Sequence, residues 1–504
     1  MKLSDIVPFL DCQVFGSLDI DITGITTDSR ALVSSPSGTL FAAMPGEHVD
    51  GHSYIPAAAK AGAVCVLAEK QTPYIAATQV IVPDIREAIA RAADLICGEP
   101  SKKLVLLGIT GTNGKTTTTY ILESILRSAG ANPGVIGTVN YRYNGRVFAA
   151  PHTTPQAPEL QAILREMAEG GVTHCVMEVS SHALEQKRVS YCRFRAGVFT
   201  NLTHDHLDYH KTMDEYFRCK SLLFSNLKET GGASVINTDD PWGRRLKETF
   251  PNALTFSLKQ GASVYPKSFS LLEGRTEAVI ATPAGDIQVS SHLVGEYNLQ
   301  NILGAIAVAC AIGIGKEAIS QGISVLERVP GRLEKIESKG SRVFRAYVDY
   351  AHTGDALERA LQALRPVTNG RLITVFGCGG NRDRLKRPKM AEISARFSDF
   401  TIVTSDNPRD EDPLEIIKEV ESGIDGLQKF EPENSPSEKG YMVVPDRKEA
   451  IRKAVALAGS GDTILVAGKG HEDYQIIKGV KHHFDDFEVI REAMAEGIAH
   501  AAHQ

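Results

Sequence analysis

The strongest chemical signal in this chain is a run of glycine, lysine and threonine between an apolar stretch and a helix-patterned stretch. Glycines let the backbone curl so that successive N–H groups face anionic oxygens, and a helix N-terminus adds partial positive charge. A lysine in such a loop contacts the outer phosphates, and a threonine hydroxyl holds Mg²⁺. The pattern predicts a nucleoside triphosphate site, in a loop shorter than the common one because Ile109 stands where a glycine usually does. The loop residues are Gly111, Thr112, Asn113, Gly114, Lys115, Thr116 and Thr117.

Acidic and imidazole side chains follow in two further segments. Glu178 comes directly after an apolar stretch, where a parallel strand would end and where ligands of such folds collect. A single glutamate at that place is more often structural. Residues 204–210 hold three histidines and two aspartates within seven positions, a density that fits metal and phosphate chemistry. A histidine-rich surface turn remains the alternative for that segment.

Composition limits the class of protein. The 504 residues carry 55 basic and 61 acidic side chains, a net charge of −6, which is not the electrostatic footprint of a nucleic-acid binder. No window approaches the roughly 18 apolar residues of a membrane span, and an early Asp5 argues against a signal peptide. Eight scattered cysteines without a CxxC pair suit reduced thiols. We expect a soluble cytoplasmic enzyme with no nucleic-acid or membrane partner.

Three blocks of alternating apolar and helical patterns must position these residues. Continuous apolar runs of four to six residues predict buried parallel strands, and the strand–loop–helix order predicts an α/β fold with right-handed crossovers. A boundary is expected near 98–103, and another near 329–331. The predicted strands are 40–43, 63–67, 104–109, 174–177, 372–376, 400–403 and 463–466, and the predicted helices include 55–61, 118–128 and 299–312.

Several segments together resemble the Mur ligases, ATP-dependent amide-forming enzymes of peptidoglycan precursor synthesis. The resemblance extends over essentially the whole chain and rests on the loop 111–117, on Asp-His-Leu-Asp-Tyr-His at 205–210, on Gly-Glu-Tyr-Asn-Leu-Gln-Asn at 295–301 and on Asp-Tyr-Ala-His at 349–352. Three more segments resemble the members that add the third amino acid, meso-2,6-diaminopimelate: 27–30, 377–383 and the Asp-Asn-Pro-Arg at 406–409.

The resemblance implies an α/β chain of three domains and a monomer. These are a small N-terminal α/β domain for a nucleotide sugar (1–100), a central ATP-binding domain with a phosphate loop and a mostly parallel sheet (101–330), and a C-terminal Rossmann-like domain for the amino acid (331–504). It implies as substrates ATP, diaminopimelate and the acceptor UDP-MurNAc-L-Ala-D-Glu, whose D-glutamate carboxylate becomes an acyl phosphate that the amine attacks.

The resemblance also implies roles for single residues. Lys115, Glu178, His206 and a carbamylated Lys220 would be catalytic, and Mg²⁺ would be held by Thr116, Glu178, His206 and Lys220. From the residues alone, Lys220 is a plain lysine on a helix surface. The remaining implied contacts to ATP are Asn298, Asn301, Arg332 and Asp349.

For the acceptor, the resemblance points to Ser29 and the loop 46–51 at the uridine end. His152 stands where we expect asparagine, and Gly354 stands where we expect proline. The muramoyl-dipeptide arm would contact His152, Thr153, Thr154, Ser180, Gln186 and Arg188.

Diaminopimelate differs from lysine by one distal carboxylate, so a cation must select it. Arg409 with Arg382 fits this role because guanidinium binds carboxylate bidentately. The other implied contacts are Asp406, Asn407, Pro408, Gly468 and Glu472, with Asp406 and Asn407 taking the ammonium. Without the resemblance, a plain turn with a surface arginine is favoured. The alternatives are a lysine-adding Mur ligase, a folylpolyglutamate-type ligase or a non-catalytic nucleotide sensor.

Overall fold

A computed structural model describes residues 1–35, 37–46, 49–272, 274–338, 343–434, 436 and 438–502, with the backbone alone at 208 and 497–502. Three α/β domains follow one another along the chain, each built on its own sheet. This confirms the expected fold class. No helix in the described part of the chain is long and apolar enough to cross a bilayer.

The N-terminal domain is built on five strands. They are β1 (Gln13–Phe15), β2 (Gly24–Thr26), β3 (Thr39–Ala42), β4 (Cys65–Ala68) and β5 (Thr78–Ile81), with helices α1 (Leu3–Ile6), α2 (Ile55–Lys60) and α3 (Ile85–Ile96). The strand order is β1-β5-β4-β3-β2, and only β1 runs antiparallel to its neighbour. The α3 helix begins where the Asp84 carboxylate accepts from the Glu87 N–H, 3.0 Å away.

The central domain contains the predicted phosphate loop. Its strands are β6 (Val105–Thr110), β7 (Pro133–Ile136), β8 (Tyr141–Tyr143), β9 (Arg146–Phe148), β10 (His174–Glu178), β11 (Phe194–Phe199), β12 (Ala233–Asn237), β13 (Leu254–Phe256), β14 (Tyr265–Leu272), β15 (Arg275–Ala281) and β16 (Ile287–Ser291). Its helices are α4 (Lys115–Ser128), α5 (Ala157–Glu169), α6 (Ser181–Glu185), α7 (Leu207–His210), α8 (Met213–Thr230), α9 (Pro241–Thr249), α10 (Glu296–Ala311) and α11 (Lys316–Ser324).

The order of the main central sheet is β13-β12-β11-β6-β10-β7-β8-β9, and only the pairs β7–β8 and β8–β9 are antiparallel. The three strands β11, β6 and β10 are neighbours, so their carboxyl ends lie side by side at one edge. That edge carries the phosphate loop, Glu178 and Thr200, which follow these strands. The strands β14, β15 and β16 form a separate antiparallel sheet.

The C-terminal domain repeats the parallel design. Its strands are β17 (Glu334–Glu337), β18 (Arg345–Asp349), β19 (Leu372–Phe376), β20 (Phe400–Val403), β21 (Gln428–Lys429), β22 (Gly440–Val443), β23 (Thr463–Ala467), β24 (Tyr474–Ile477) and β25 (Val480–His483). Its helices are α12 (Gly354–Leu364), α13 (Lys386–Phe397), α14 (Pro413–Glu421), α15 (Arg447–Leu457) and α16 (Asp486–Ala502). The sheet order is β17-β18-β23-β19-β20-β22-β21, and β24 pairs with β25 in a hairpin.

Every strand predicted from an apolar run is confirmed to within two residues. The helix predicted from 118 begins earlier, at Lys115, because the phosphate loop itself supplies its first turn. The β14–β16 sheet was not predicted. Its β14 strand is exposed along most of its length, so it lacks the continuous apolar run by which the seven predicted strands were found.

Candidate active site

The phosphate loop lies between β6 and α4 in a conformation that requires its two glycines. Gly111 has φ +148° and Gly114 has φ +87°, both in the region that side chains rarely adopt. A Cβ added to Gly111 would collide with Thr200 Oγ1, and one on Gly114 would collide with Asn301 Oδ1. The loop is therefore packed closely against the end of β11 and against α10.

Thr200 and Asn201, which follow β11, form hydrogen bonds with the backbone of this loop. Asn201 accepts twice, with its carbonyl from the Thr112 N–H and with Oδ1 from the Asn113 N–H, at 2.9 Å each. Thr200 donates its hydroxyl to the Asn113 carbonyl at 2.6 Å. The loop is thus preorganised by the parallel sheet.

Two lysines share one carbonyl beneath the loop. Lys115 Nζ donates to the carbonyls of Gly111 and Thr112 at 2.8 Å each, and Lys220 Nζ donates to the Gly111 carbonyl at 2.9 Å. Burial lowers the pKa of Lys115, partly opposed by the charges of Glu178 and Asp205. Burial, and then the charge of Lys115, lowers the pKa of Lys220 well below its ordinary value. Lys220 is 1% exposed, so the surface position suggested by the residues alone is wrong.

Glu178 ends β10 beside the loop and is buried. Its two oxygens accept from Thr138, Oε1 from the backbone N–H at 3.0 Å and Oε2 from the hydroxyl at 2.8 Å. A carboxylate oxygen has a further lone pair, so each can also bind a cation.

Aromatic and imidazole rings cluster after β11. His206 adopts φ +54° with Nε2 at 3.4 Å from the Asp205 carboxylate, and its ring centroid lies 5.1 Å from that of His182. His182 also contacts the ring of Tyr209 at 4.1 Å. Burial, with smaller contributions from the charges of His206 and His210, lowers the pKa of His182 to about 4. His182 is a neutral member of the site that sequence reasoning did not single out.

The C-terminal domain reaches the phosphate loop directly. Arg332 Nη2 donates to Thr116 Oγ1 at 3.1 Å. Asp355 Oδ2 accepts from Asn113 Nδ2 at 2.8 Å and from Thr203 Oγ1 at 3.3 Å. These bonds join residues more than 150 positions apart, and sequence reasoning did not find Asp355.

The other predicted ATP residues lie around this joint. Asp349 is buried at the end of β18 and accepts from the Leu333 N–H at 2.7 Å. Asn301 donates to Asn298 Oδ1 at 3.3 Å, and Asn298 donates to the Val294 carbonyl at 2.9 Å. Asn301 also lines a small cavity of about 20 Å³ together with loop residues 113 and 114.

Four of the residues predicted to hold the muramoyl-dipeptide arm form one network. Thr154 Oγ1 donates to the Glu178 carbonyl at 2.8 Å and accepts from the Ser180 N–H at 3.1 Å. Arg188 donates to the Thr154 carbonyl at 2.8 Å and to Gln186 Oε1 at 2.7 Å. The network therefore joins the acceptor-arm residues to the carbonyl of the predicted metal ligand.

The remaining acceptor residues are placed differently. Thr153 contacts the Thr138 hydroxyl at 3.1 Å, while His152 accepts through its backbone carbonyl from the Tyr141 hydroxyl. Ser29 begins a short 3₁₀ turn in the N-terminal domain and belongs neither to the network around Thr154 nor to the phosphate-loop site. Positions 47 and 48 of the predicted uridine loop lie outside the described residues.

A cleft of about 440 Å³ brings the predicted amino-acid residues together beside the histidine cluster. Pro408 is the one predicted member that does not line it. The lining residues include His182, Asp205, His206, His352, Arg382, Lys386, Asp406, Asn407, Arg409, Gly468, Glu472 and Tyr474.

One side of this cleft is cationic. Arg409 has φ +54°, its backbone is bonded to residues 476 and 478 beside the β24–β25 hairpin, and its Nη1 donates to the Gly380 carbonyl at 2.7 Å. Burial and the neighbouring Arg382 charge both lower the pKa of Arg409. Two guanidinium groups beside one another favour an anionic ligand.

Carboxylates line the same cleft, among them Asp406 and Glu472. Burial, and then the charge of Asp406, raises the pKa of Glu472. Burial acts to raise the pKa of Asp406, but the cations Lys469 and Arg447 bring it below its ordinary value. Asp406 Oδ1 is buried and lies 3.3 Å from Lys469 Nζ, a contact that is an ion pair without hydrogen-bond geometry.

Comparison with known proteins identifies the family of this chain. Three family models match in order, described as the catalytic domain of the Mur ligase family (residues 21–96), the Mur ligase middle domain (109–309) and the Mur ligase glutamate ligase domain (331–470). A UDP-N-acetylmuramoyl-L-alanyl-D-glutamate–2,6-diaminopimelate ligase of Geobacter metallireducens is 45% identical, covering 98% of this chain and 99% of that protein. The chain belongs to the Mur ligase family. It is therefore an ATP-dependent amide-forming ligase.

Two further relatives of this Mur ligase carry the same name. The protein from Geobacter sulfurreducens is 46% identical, covering 97% of both chains. A solved structure of a diaminopimelate ligase of that name is 31% identical with a TM-score of 0.69, covering 99% of both chains.

Proposed function

We propose that this Mur ligase joins 2,6-diaminopimelate to the D-glutamate carboxylate of UDP-MurNAc-L-Ala-D-Glu, with ATP converted to ADP and phosphate, in peptidoglycan precursor synthesis. The carrying observation is the cleft that is lined by Arg382 and Arg409 together with Asp406 and Glu472. The distal end of diaminopimelate is a zwitterion, so it can pair its carboxylate with Arg382 and Arg409 and its ammonium with Asp406 and Glu472. The names of the relatives agree with this substrate.

The phosphate loop accounts for ATP. Lys115 and Arg332 neutralise the phosphates, which must approach a second anion, the acceptor carboxylate. Asn298, Asn301 and Asp349 border the same joint and complete the nucleotide site. Transfer of the γ-phosphoryl group to the carboxylate converts a poor leaving oxygen into phosphate.

Thr116, Glu178 and His206 fit Mg²⁺ as a hydroxyl, a carboxylate and an imidazole on adjoining elements. The described residues include no cluster of three or more His, Cys, Asp or Glu side chains that could hold a metal by itself. Mg²⁺ commonly needs one or two carboxylates and takes its other ligands from phosphates and water. When bound with the nucleotide, the ion supplies charge neutralisation at the transferring phosphoryl group.

Lys220 fits the proposed carbamate. Only a neutral amine attacks CO₂, forming an N–C bond and releasing one proton, and the lowered pKa of Lys220 favours that neutral form. The product is an anion beside Lys115, which replaces like-charge repulsion by attraction and lets Lys220 join the Mg²⁺ ligands.

The acceptor arm would lie along Thr154, Ser180 and Gln186, with Arg188 on its carboxylate and residues 152 and 153 at the entrance. Ser29 and the loop 46–51 would hold the uridine end. We further propose domain boundaries at 100/101 and 330/331, a monomeric enzyme and a cytoplasmic location, where these nucleotide substrates are made.

The test is ADP release by the purified chain with the UDP-muramoyl-dipeptide acceptor and a panel of amino acids. We expect release only when acceptor and diaminopimelate are both present, with lysine at least tenfold poorer in kcat/KM. Comparable turnover of lysine would favour the lysine-adding alternative. Release with a folate acceptor would favour the folylpolyglutamate type, and no release with any pair would favour a nucleotide sensor.

A further inference from the structure

A buried lysine lies beside two carboxylates of the cleft. Lys469 follows β23 in a turn between Gly468 (φ +121°) and Gly470 (φ +53°), and its side chain is 0% exposed. Its Nζ donates to the Tyr474 carbonyl at 2.7 Å and to Asn407 Oδ1 at 3.1 Å. Burying an ammonium group is energetically unfavourable unless anionic partners compensate its charge.

The anionic partners are Asp406 and Glu472, two of the four carboxylates that line the cleft. Lys469 Nζ lies 3.3 Å from Asp406 Oδ1 and 4.0 Å from Glu472 Oε2. The nearby Arg447 is already neutralised by Asp486 in a buried pair at 2.7 Å. With Lys469 counted, two negative charges become one, which matches one ammonium group of a zwitterionic amino acid.

Lys469 also sets the orientation of an amide. Asn407 Oδ1 accepts from Lys469 and from the Ile476 N–H at 2.9 Å, so its Nδ2 must face the other way, where it donates to Glu472 Oε2 at 2.8 Å. The bond to the Tyr474 carbonyl joins the same lysine to the β24–β25 hairpin, which holds the backbone of Arg409. One ammonium thus connects Asn407 to the hairpin that holds Arg409.

We propose that Lys469 is a positioning residue that sets the charge and geometry of the ammonium subsite for the incoming amino acid. It does not touch the substrate, since it is enclosed behind Asp406 and Asn407. The inference rests on the proposed function, because it takes the cleft to be the site of a zwitterionic amino acid.

The test uses Lys469→Met, Glu472→Gln and the double variant in the full-length chain, with ADP release as the assay. We expect Lys469→Met to raise KM for diaminopimelate at least tenfold and to change KM for ATP less than twofold. The double variant again has one negative charge, so its KM for diaminopimelate should fall below that of Lys469→Met. If Lys469 were purely structural, the two substitutions would act independently. Their fold-changes in KM for diaminopimelate would then multiply, and the double variant would have a higher KM than Lys469→Met.

Arg371→Met is the matched control. Arg371 is also an ion-paired cation of this domain, bonded to Asp462 at 2.9 Å, but it lies at the opposite end of the sheet, before β19. Its variant should leave KM for diaminopimelate within twofold of the wild-type value.

The folded state gives a second readout. If Lys469→Met does not fold, the double variant should still fold, since Asp406 and residue 472 then carry one negative charge between them, as they do in the wild-type chain with Lys469 counted. Equal increases in both KM values, multiplying effects, or unfolding of both variants would overturn the inference. A wild-type chain inactive with diaminopimelate would instead overturn the proposed function.

Discussion

Replacing Arg409 by alanine removes the guanidinium that we assign to the distal carboxylate. Nη1 already donates to the Gly380 carbonyl at 2.7 Å, so the remaining N–H groups are those that reach a ligand. A hydrogen bond to a charged group contributes about 1.5–3 kcal/mol, and the partly buried site places the loss near the middle of that range. A loss of about 2–2.5 kcal/mol corresponds to a rise in KM for diaminopimelate of roughly 30- to 70-fold.

The assay is the initial rate of ADP release with diaminopimelate varied at saturating ATP and acceptor, repeated with ATP varied. KM for ATP should change less than twofold, and the preference for diaminopimelate over lysine should shrink because lysine lacks the lost contact. Arg384→Ala is the control, since this exposed arginine pairs with Glu419 and does not line the cleft. Equal increases in KM for ATP and diaminopimelate, or unchanged selectivity, would refute the assignment.

Three further predictions concern other parts of the chain. Lys220→Ala should lower turnover by orders of magnitude, with partial rescue by acetate and none by bicarbonate. The control Lys228→Ala, on the same helix, should be fully active. Full activity of Lys220→Ala would exclude the carbamate. Arg188→Ala should raise KM for the UDP-sugar acceptor at least tenfold at unchanged KM for diaminopimelate, and the reverse pattern would contradict its placement. Burial raises the pKa of the Asp94 carboxyl to about 6, above an ordinary 3.8, so the folded chain holds this proton from about pH 4 to 6 and loses stability as pH rises through that window. Relative to wild type, Asp94→Asn should therefore gain about 3 kcal/mol of unfolding free energy between pH 4 and pH 7 in denaturant titrations, and a constant difference would argue against the shift.

The phosphate loop could be predicted because local order determines it. An apolar strand, two glycines and a lysine at the start of a helix are adjacent in the chain, and the structure places them as expected between β6 and α4. The C-terminal strands could be predicted equally well, because buried parallel strands are continuous apolar runs. Leu372–Phe376 and Phe400–Val403 are found with the predicted bounds.

Residues whose role depends on distant partners could not be predicted from local pattern. Lys220 has the sequence context of a surface lysine, and only the packing of α8 beneath the loop buries it. Asp355 lies in the first turn of α12, where acidic residues are common, and nothing near it in the chain indicates a bond to Asn113, 242 positions earlier. Lys469 lies three positions before Glu472, which the resemblance implied as a contact. Its role depends on the fold, because β20 and β23 bring Asp406 within 3.3 Å of it.

The bonds from Arg332 and Asp355 to the phosphate loop have a consequence for synthesis of the chain. A ribosome releases the loop and its helix long before residues 332 and 355 have emerged. Until then Thr116 lacks its bond to Arg332, and Asn113 lacks its bond to Asp355. The cleft of about 440 Å³ is also incomplete, because most of its lining residues follow residue 349. The complete set of contacts to the phosphate loop therefore forms only after the last third of the chain has folded onto the rest.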